Sequence, residues 1–159
     1  MAVLAPTAAK ADGVFAPDGK LMLVAVAVFV LPSEVGVAIP TADASRANFV
    51  LGWSWQLPVG DTGNNRVLGA VDLLPHADGA DARGRVGYRY SRRYAFGGLA
   101  LAVDGAGASL SPELGVKFGH VYKRGDIIDP AFHLLARAEV APDTGRLLGT
   151  TVLLGYDLF

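Results

Sequence analysis

No cysteine occurs anywhere in the chain, which excludes disulfide cross-links, thiolate nucleophiles and cysteine-held metals. It leaves the compartment open, because many envelope proteins also lack the residue. A run of apolar residues long enough for a membrane helix is missing too. The longest, Leu21 to Leu31, falls well short of the roughly 20 residues a spanning helix needs. Charge is sparse and nearly balanced, with 14 Lys and Arg against 15 Asp and Glu and a net charge of -1. No basic field exists to attract nucleic acid, so no nucleic-acid partner is expected. Yet 52% of the 159 residues are hydrophobic and the mean hydropathy is +0.36, high for a water-soluble chain of this size. That apolarity must be distributed over many short segments, in a chain with room for one domain.

The first residues read as processing sequence. Ala2 to Ala11 ends in the small-x-small pattern Ala9-Lys10-Ala11, so residues 1–11 are taken as the remnant of a signal peptide and 12–159 as the folded domain. A second reading makes Leu21 to Leu31 the signal's apolar region, with cleavage after Ala42-Asp43-Ala44, but the stretch between them is too long for it.

Period-two alternation recurs along the rest of the chain, interrupted by Gly, Pro, Asp and Asn clusters, and helical periodicity is scarce. Eight strands are expected, at about Lys20 to Leu31, Asn48 to Leu57, Arg66 to Leu74, Arg85 to Tyr90, Ala95 to Asp104, Glu113 to Gly119, Phe132 to Val140 and Leu147 to Leu158. The intervening stretches, Pro58 to Asn65, Pro75 to Gly84, Ser91 to Arg93, Gly105 to Pro112, His120 to Pro130 and Ala141 to Gly145, suit hairpin loops. The fold class is therefore all-β, a single closed antiparallel up-and-down barrel of about eight strands.

The two faces of these strands differ in kind. One carries Phe49, Leu51, Trp53, Trp55, Leu57, Val86, Tyr88, Tyr90, Leu114, Val116, Phe118, Phe132, Leu134, Val152, Leu154 and Tyr156. The other mixes glycine with charges of both signs: Asp72, Arg85, Arg89, Asp104, Glu113, Lys117, Arg137, Glu139 and Asp157, with Gln56 and His133 beside them. A soluble barrel would turn the apolar face inward, whereas a transmembrane barrel turns it toward lipid and encloses the charges. Alternation alone fits both.

The aromatic residues are distributed unevenly. In an up-and-down arrangement Trp53, Trp55, Tyr88, Tyr90, Tyr94, Phe96, Phe118, Phe132 and Tyr156 all fall toward one rim, as in the girdle that membrane interfaces favour. Trp53, Trp55, Tyr88, Tyr90, Tyr94, Phe118 and Tyr156 are the expected girdle. The opposite rim has only Phe29 and Phe49.

The last strand, Leu148-Gly149-Thr150-Thr151-Val152-Leu153-Leu154-Gly155-Tyr156-Asp157-Leu158-Phe159, resembles the terminal strand of small bacterial outer-membrane β-barrels, which ends on an aromatic residue. The resemblance implies location in a bacterial outer membrane, lipid as the surrounding partner, and the barrel-assembly machinery as a partner during biogenesis. It also implies a structural, adhesive or surface-interaction role; the inward charges are expected to pair and fill an interior that eight strands make only just wide enough for side chains, so no open pore is expected, and no cofactor. An extracellular partner is not identified. One departure is that Phe159, three residues after Tyr156, falls on the opposite face, so Leu158 or a bulge must compensate.

Two alternatives stay open. A periplasmic or secreted lipocalin-like barrel would hold an apolar small molecule between Trp53, Trp55, Tyr88 and Phe118. A lipid-modifying enzyme is the other. Gly115 to Tyr122 resembles the His-containing strand of outer-membrane lipid A deacylases, but Tyr122 stands where that family has its nucleophilic Ser, two residues after His120. His76, His120 and His133 lack metal-ligand spacing. Asp61-Thr62-Gly63 is a turn sequence, not a protease triplet. No catalytic, cofactor-binding or metal-binding residue is assigned.

Overall fold

A β-strand twelve residues long that alternates small or charged with aliphatic side chains has two faces that cannot share one environment. Eight such strands, closed on themselves, give one environment inside and another outside. The computed structural model describes residues 30–60, 63–119 and 131–157. Its strands are β1 (Glu34–Pro40), β2 (Asn48–Val59), β3 (Asn65–His76), β4 (Gly79–Ser91), β5 (Ala95–Asp104), β6 (Gly107–Phe118), β7 (Ala131–Val140) and β8 (Leu147–Asp157). Each pairs antiparallel with the next, and β1 pairs with β8 to close the barrel. A turn of 3-10 helix, Ala44–Arg46, connects β1 to β2 and is capped by the Asp43 side chain.

Pairing around the barrel fixes its stagger. From Val35 one route runs through Leu51 and Leu73 to Ala82 in β4. The other runs through Leu154, Leu134, Val116 and Ala95, whose carbonyl accepts from Arg92 N at 2.8 Å. The two routes meet β4 ten residues apart, between Ala82 and Arg92. At about 3.3 Å per residue and about 4.8 Å between strands, that offset tilts the strands by roughly 40° from the axis.

Three boundaries differ from the sequence reading. The first strand is Glu34–Pro40, not Lys20 to Leu31, and this segment makes both closing pairs. Of the expected strand, residues 20–29 lie outside the described residues, and Val30 and Leu31 are exposed. The loop expected at Pro75 to Gly84 shrinks to Ala77-Asp78, and the one at Gly105 to Pro112 shrinks to Gly105-Ala106. Gly79 (φ 155°) and Gly107 (φ 134°) release the chain from these turns in a region closed to other residues. The extra strand residues, Pro75 and Pro112 among them, are held by cross-strand pairs to Ala80 and Leu99. Residues 1–11 lie outside the described residues.

Candidate functional site

The inward positions are filled, and the filling is ionic. Arg85 clamps Asp72 with two hydrogen bonds, Nε to Oδ2 at 3.0 Å and Nη2 to Oδ1 at 2.9 Å. Arg137 Nη2 donates to the same Asp72 Oδ2 at 2.9 Å. Neighbouring strands β3 and β4 supply the first pair, while β7 reaches across the lumen to supply the second. Arg137 also stands 3.5 Å from Glu139, which accepts from Ser109 at 2.9 Å and Ser111 at 3.2 Å. Arg83 joins Glu139 at 3.3 Å to Asp104 at 2.9 Å.

Toward the chain termini the contacts to Glu34 are longer. Arg89 Nε donates to Glu113 at 2.6 Å, but its Nη2 stands 4.0 Å from Glu34. Glu34 lies 3.5 Å from Arg85 and 3.6 Å from His133, and Arg85 Nη1 lies 3.8 Å from Glu113. Phe96 packs beneath, with the Arg89 guanidinium 4.3 Å from its ring centre and the His133 ring edge-on at 5.5 Å. Gly115 makes room for this ring, since a Cβ there would run into Phe96 Cζ. Phe96, read in sequence as a rim aromatic, thus points inward. Leu68, Leu135, Leu153 and Val50 occupy the remaining interior and are almost wholly buried.

One mouth is open. At the rim opposite the termini a cavity of about 650 Å³ descends between Asn48, Asp81, Arg83, Asp104, Ser109 and Glu139. Below it Asp72, Arg85 and Arg89 are at most 4% exposed, so side chains occupy the cross-section, as expected for eight strands. Among the described residues no group of His, Asp or Glu could hold a metal ion.

The outer surface is the reverse. Leu114 is 68% exposed and Val86 59%, whereas Arg89 between Tyr88 and Tyr90 is 0%. Val35, Val37, Ile39, Leu99, Leu101, Val116, Leu134, Val152 and Leu154 extend the same aliphatic band. Tyr88, Tyr90, Phe118 and Phe132 are exposed at the termini-side ends of their strands and Tyr94 in the turn before β5, with Trp53, Trp55 and Tyr156 half-buried on the outer face. Phe118 stacks on Phe132 with ring centres 6.2 Å apart.

Asp72, Arg85, Arg89, Glu113, Arg137 and Glu139 therefore meet in the lumen. Asp104 is half-buried at the open mouth, and Lys117 is half-buried with its Nζ 5.8 Å from the Phe96 ring centre. The Asp157 side chain lies outside the described part, as do His120, Tyr122, Asp61 and Thr62. His76 is exposed 3.9 Å from Asp81. Sequence reasoning missed Glu34, in the unassigned stretch between the first two expected strands, and Arg83, Ser109 and Ser111, in stretches read as loops. Their signal was the alternation Glu34, Gly36, Ala38 against Val35, Val37, Ile39, and Ser109, Ser111 against Leu110. No protein-family model, curated protein or solved structure matches the chain. Tyr88 and Phe118, two of the four residues expected around a lipocalin-like ligand, are exposed on the outer face of the barrel.

Proposed function

We propose that the chain is an outer-membrane β-barrel of structural role, with no open pore. The observation that carries this reading is the inverted partition: aliphatic side chains outside, charges inside. In water the exposed band would be a large unpartnered apolar patch, a surface that monomeric soluble proteins avoid. In a bilayer it is the lipid contact, and the buried charges are the filling that small membrane barrels enclose. Strands of 10 to 13 residues (β2 to β8), tilted by roughly 40°, reach across about 25 Å of hydrocarbon. A structural role is favoured over an adhesive one because two of the four turns at the open mouth have only two residues. The C-terminal strand resembles the segment read by the barrel-assembly machinery, which fits a bacterial envelope location.

The purified protein is expected to need detergent and to migrate differently in electrophoresis before and after boiling, because a closed barrel resists the denaturant until heated. A monodisperse monomer in detergent-free buffer would overturn the membrane reading.

A further inference from the structure

The open mouth is a cavity with two unlike walls. Deeper in the lumen the inward positions hold Arg89, Phe96 and Leu135, whereas at this level they include Ala38, Gly107 and Gly149, and the smaller side chains leave the space of about 650 Å³. On one side β1 and β3 present Ala38, Pro40 and Leu74; on the other, β4, β5 and β7 present Asp81, Arg83, Asp104 and Glu139. The cation of the charged wall is fully engaged. Arg83 bonds Asp104 through Nε at 3.0 Å and Nη2 at 2.9 Å, and its Nη1 stands 3.3 Å from Glu139. Arg137, beneath, is held by Asp72 at 2.9 Å and by Glu139 at 3.5 Å. Asp81, by contrast, is exposed and meets His76 at 3.9 Å, too long for a hydrogen bond. From the lip down to Asp72 the carboxylates Asp72, Asp81, Asp104 and Glu139 outnumber the arginines Arg83, Arg85 and Arg137. All the turns at this rim lie within the described residues, and they add Asp43, Asp78 and Asp143 against Arg46 and Arg146.

We propose that the mouth is a binding site for a small organic cation, a primary ammonium carried on a compact apolar body. The volume is in the range of small-molecule pockets, which combine apolar lining with a few polar groups that fix orientation. The ammonium donates to Asp81 and Asp104, and the apolar body lies against Ala38, Pro40 and Leu74. An anion would find the Arg83 donors already taken and a surplus of carboxylates around it. A neutral apolar molecule would strip water from those carboxylates and offer nothing in return. The low-dielectric walls of the mouth concentrate the negative potential where the cation enters. This binding role goes beyond a structural one, and it depends on the closed barrel, not on what surrounds it.

The test titrates the full isotope-labelled chain, in non-ionic detergent micelles, with benzylammonium, benzyl alcohol and benzoate, three probes of one shape and different charge, and reads amide resonances by nuclear magnetic resonance. Benzylammonium should shift Ala38, Asp104 and Gly107 saturably, and the other two probes should not. The affinity should fall about threefold in D81N, as expected for one carboxylate open to water, and should fall in high salt. D104N releases two donors of Arg83, so it should weaken benzylammonium and admit benzoate. That exchange of preference is one that a merely loosened barrel would not produce. If D104N folds poorly, D81N and the three probes on wild type give the decision, because Asp81 is exposed and its change leaves the lumen pairs in place. Shifts that rise without saturating, an equal response to benzyl alcohol, or wild-type affinity in D81N would overturn the inference. Each of these would leave the membrane reading intact, since that is judged by the need for detergent and by heat-modifiable migration.

Discussion

The lumen holds two clusters of like chemistry built to different tolerances. Around Asp72 the arginine contacts are 2.9 to 3.0 Å and one of them is bidentate. Around Glu34 they are 3.5 to 4.0 Å, and Arg89 Nη1 and Nη2 make no hydrogen bond. Both carboxylates are at 1% exposure, so burial does not distinguish them. Chain geometry does. Asp72 and Arg85 lie on paired neighbours, β3 and β4, two positions out of register, at the diagonal distance a long side chain spans easily. Glu34 on β1 must reach arginines of β4 across the barrel's width. Asp72, clamped by an arginine of the neighbouring strand, also takes a short bond from Arg137 across the lumen, whereas Glu34 has no arginine on either strand paired with β1 and meets those of β4 only at longer range.

The largest effect should follow from Asp72→Leu, which leaves two buried guanidinium groups, Arg85 and Arg137, without their shortest partner. Removing one member of a buried ion pair costs about 3 to 5 kcal/mol, and this change is expected at the upper end, read from urea midpoints in detergent micelles. Arg89→Leu comes next, at about 3 kcal/mol. It strands Glu113 but also removes two buried nitrogens that lack hydrogen bonds, which offsets part of the loss. A midpoint lower for Arg89→Leu than for Asp72→Leu would break the comparison. An unchanged midpoint for Arg89→Leu would speak against burial of its charge in the barrel.

The barrel was legible in the sequence wherever a strand alternates residues of opposite character. In β4, Arg85, Gly87 and Arg89 alternate with Val86, Tyr88 and Tyr90, and no other structure separates those sets. Legibility fails in β1, where the inward residues after Glu34 are Gly36 and Ala38. Small apolar side chains inside look no different in one dimension from aliphatic ones outside, and the uniformly apolar Leu21 to Leu31 drew the assignment instead. Hairpin ends fail for a related reason. Pro75, Gly79, Gly107 and Pro112 have poor strand propensity, yet tertiary pairing carries the strands through them. Partner choice within the lumen was not legible at all. It depends on the ten-residue stagger, which emerges only when eight registers are combined.

Arg83 separates distance from burial and carries the smallest expected effect. Its bonds to Asp104, 3.0 Å from Nε and 2.9 Å from Nη2, are as short as those between Arg85 and Asp72, but its side chain is 19% exposed in the open mouth. If bond length set the cost, Arg83→Leu would rival Asp72→Leu. If burial sets it, the loss should be about 1 kcal/mol or less, as for other ion pairs open to water. Glu139 would still accept from Ser109 and Ser111 and keep Arg137 at 3.5 Å, while Asp104 would be solvated from the cavity. Salt gives an independent reading of the same question. Raising ionic strength should erode the difference between wild type and Arg83→Leu, because ions reach the mouth, and should leave the Arg89→Leu difference unchanged. An Arg83→Leu midpoint as low as that of Arg89→Leu, insensitive to salt, would mean that the mouth is as dry as the centre and that the two clusters differ in length alone.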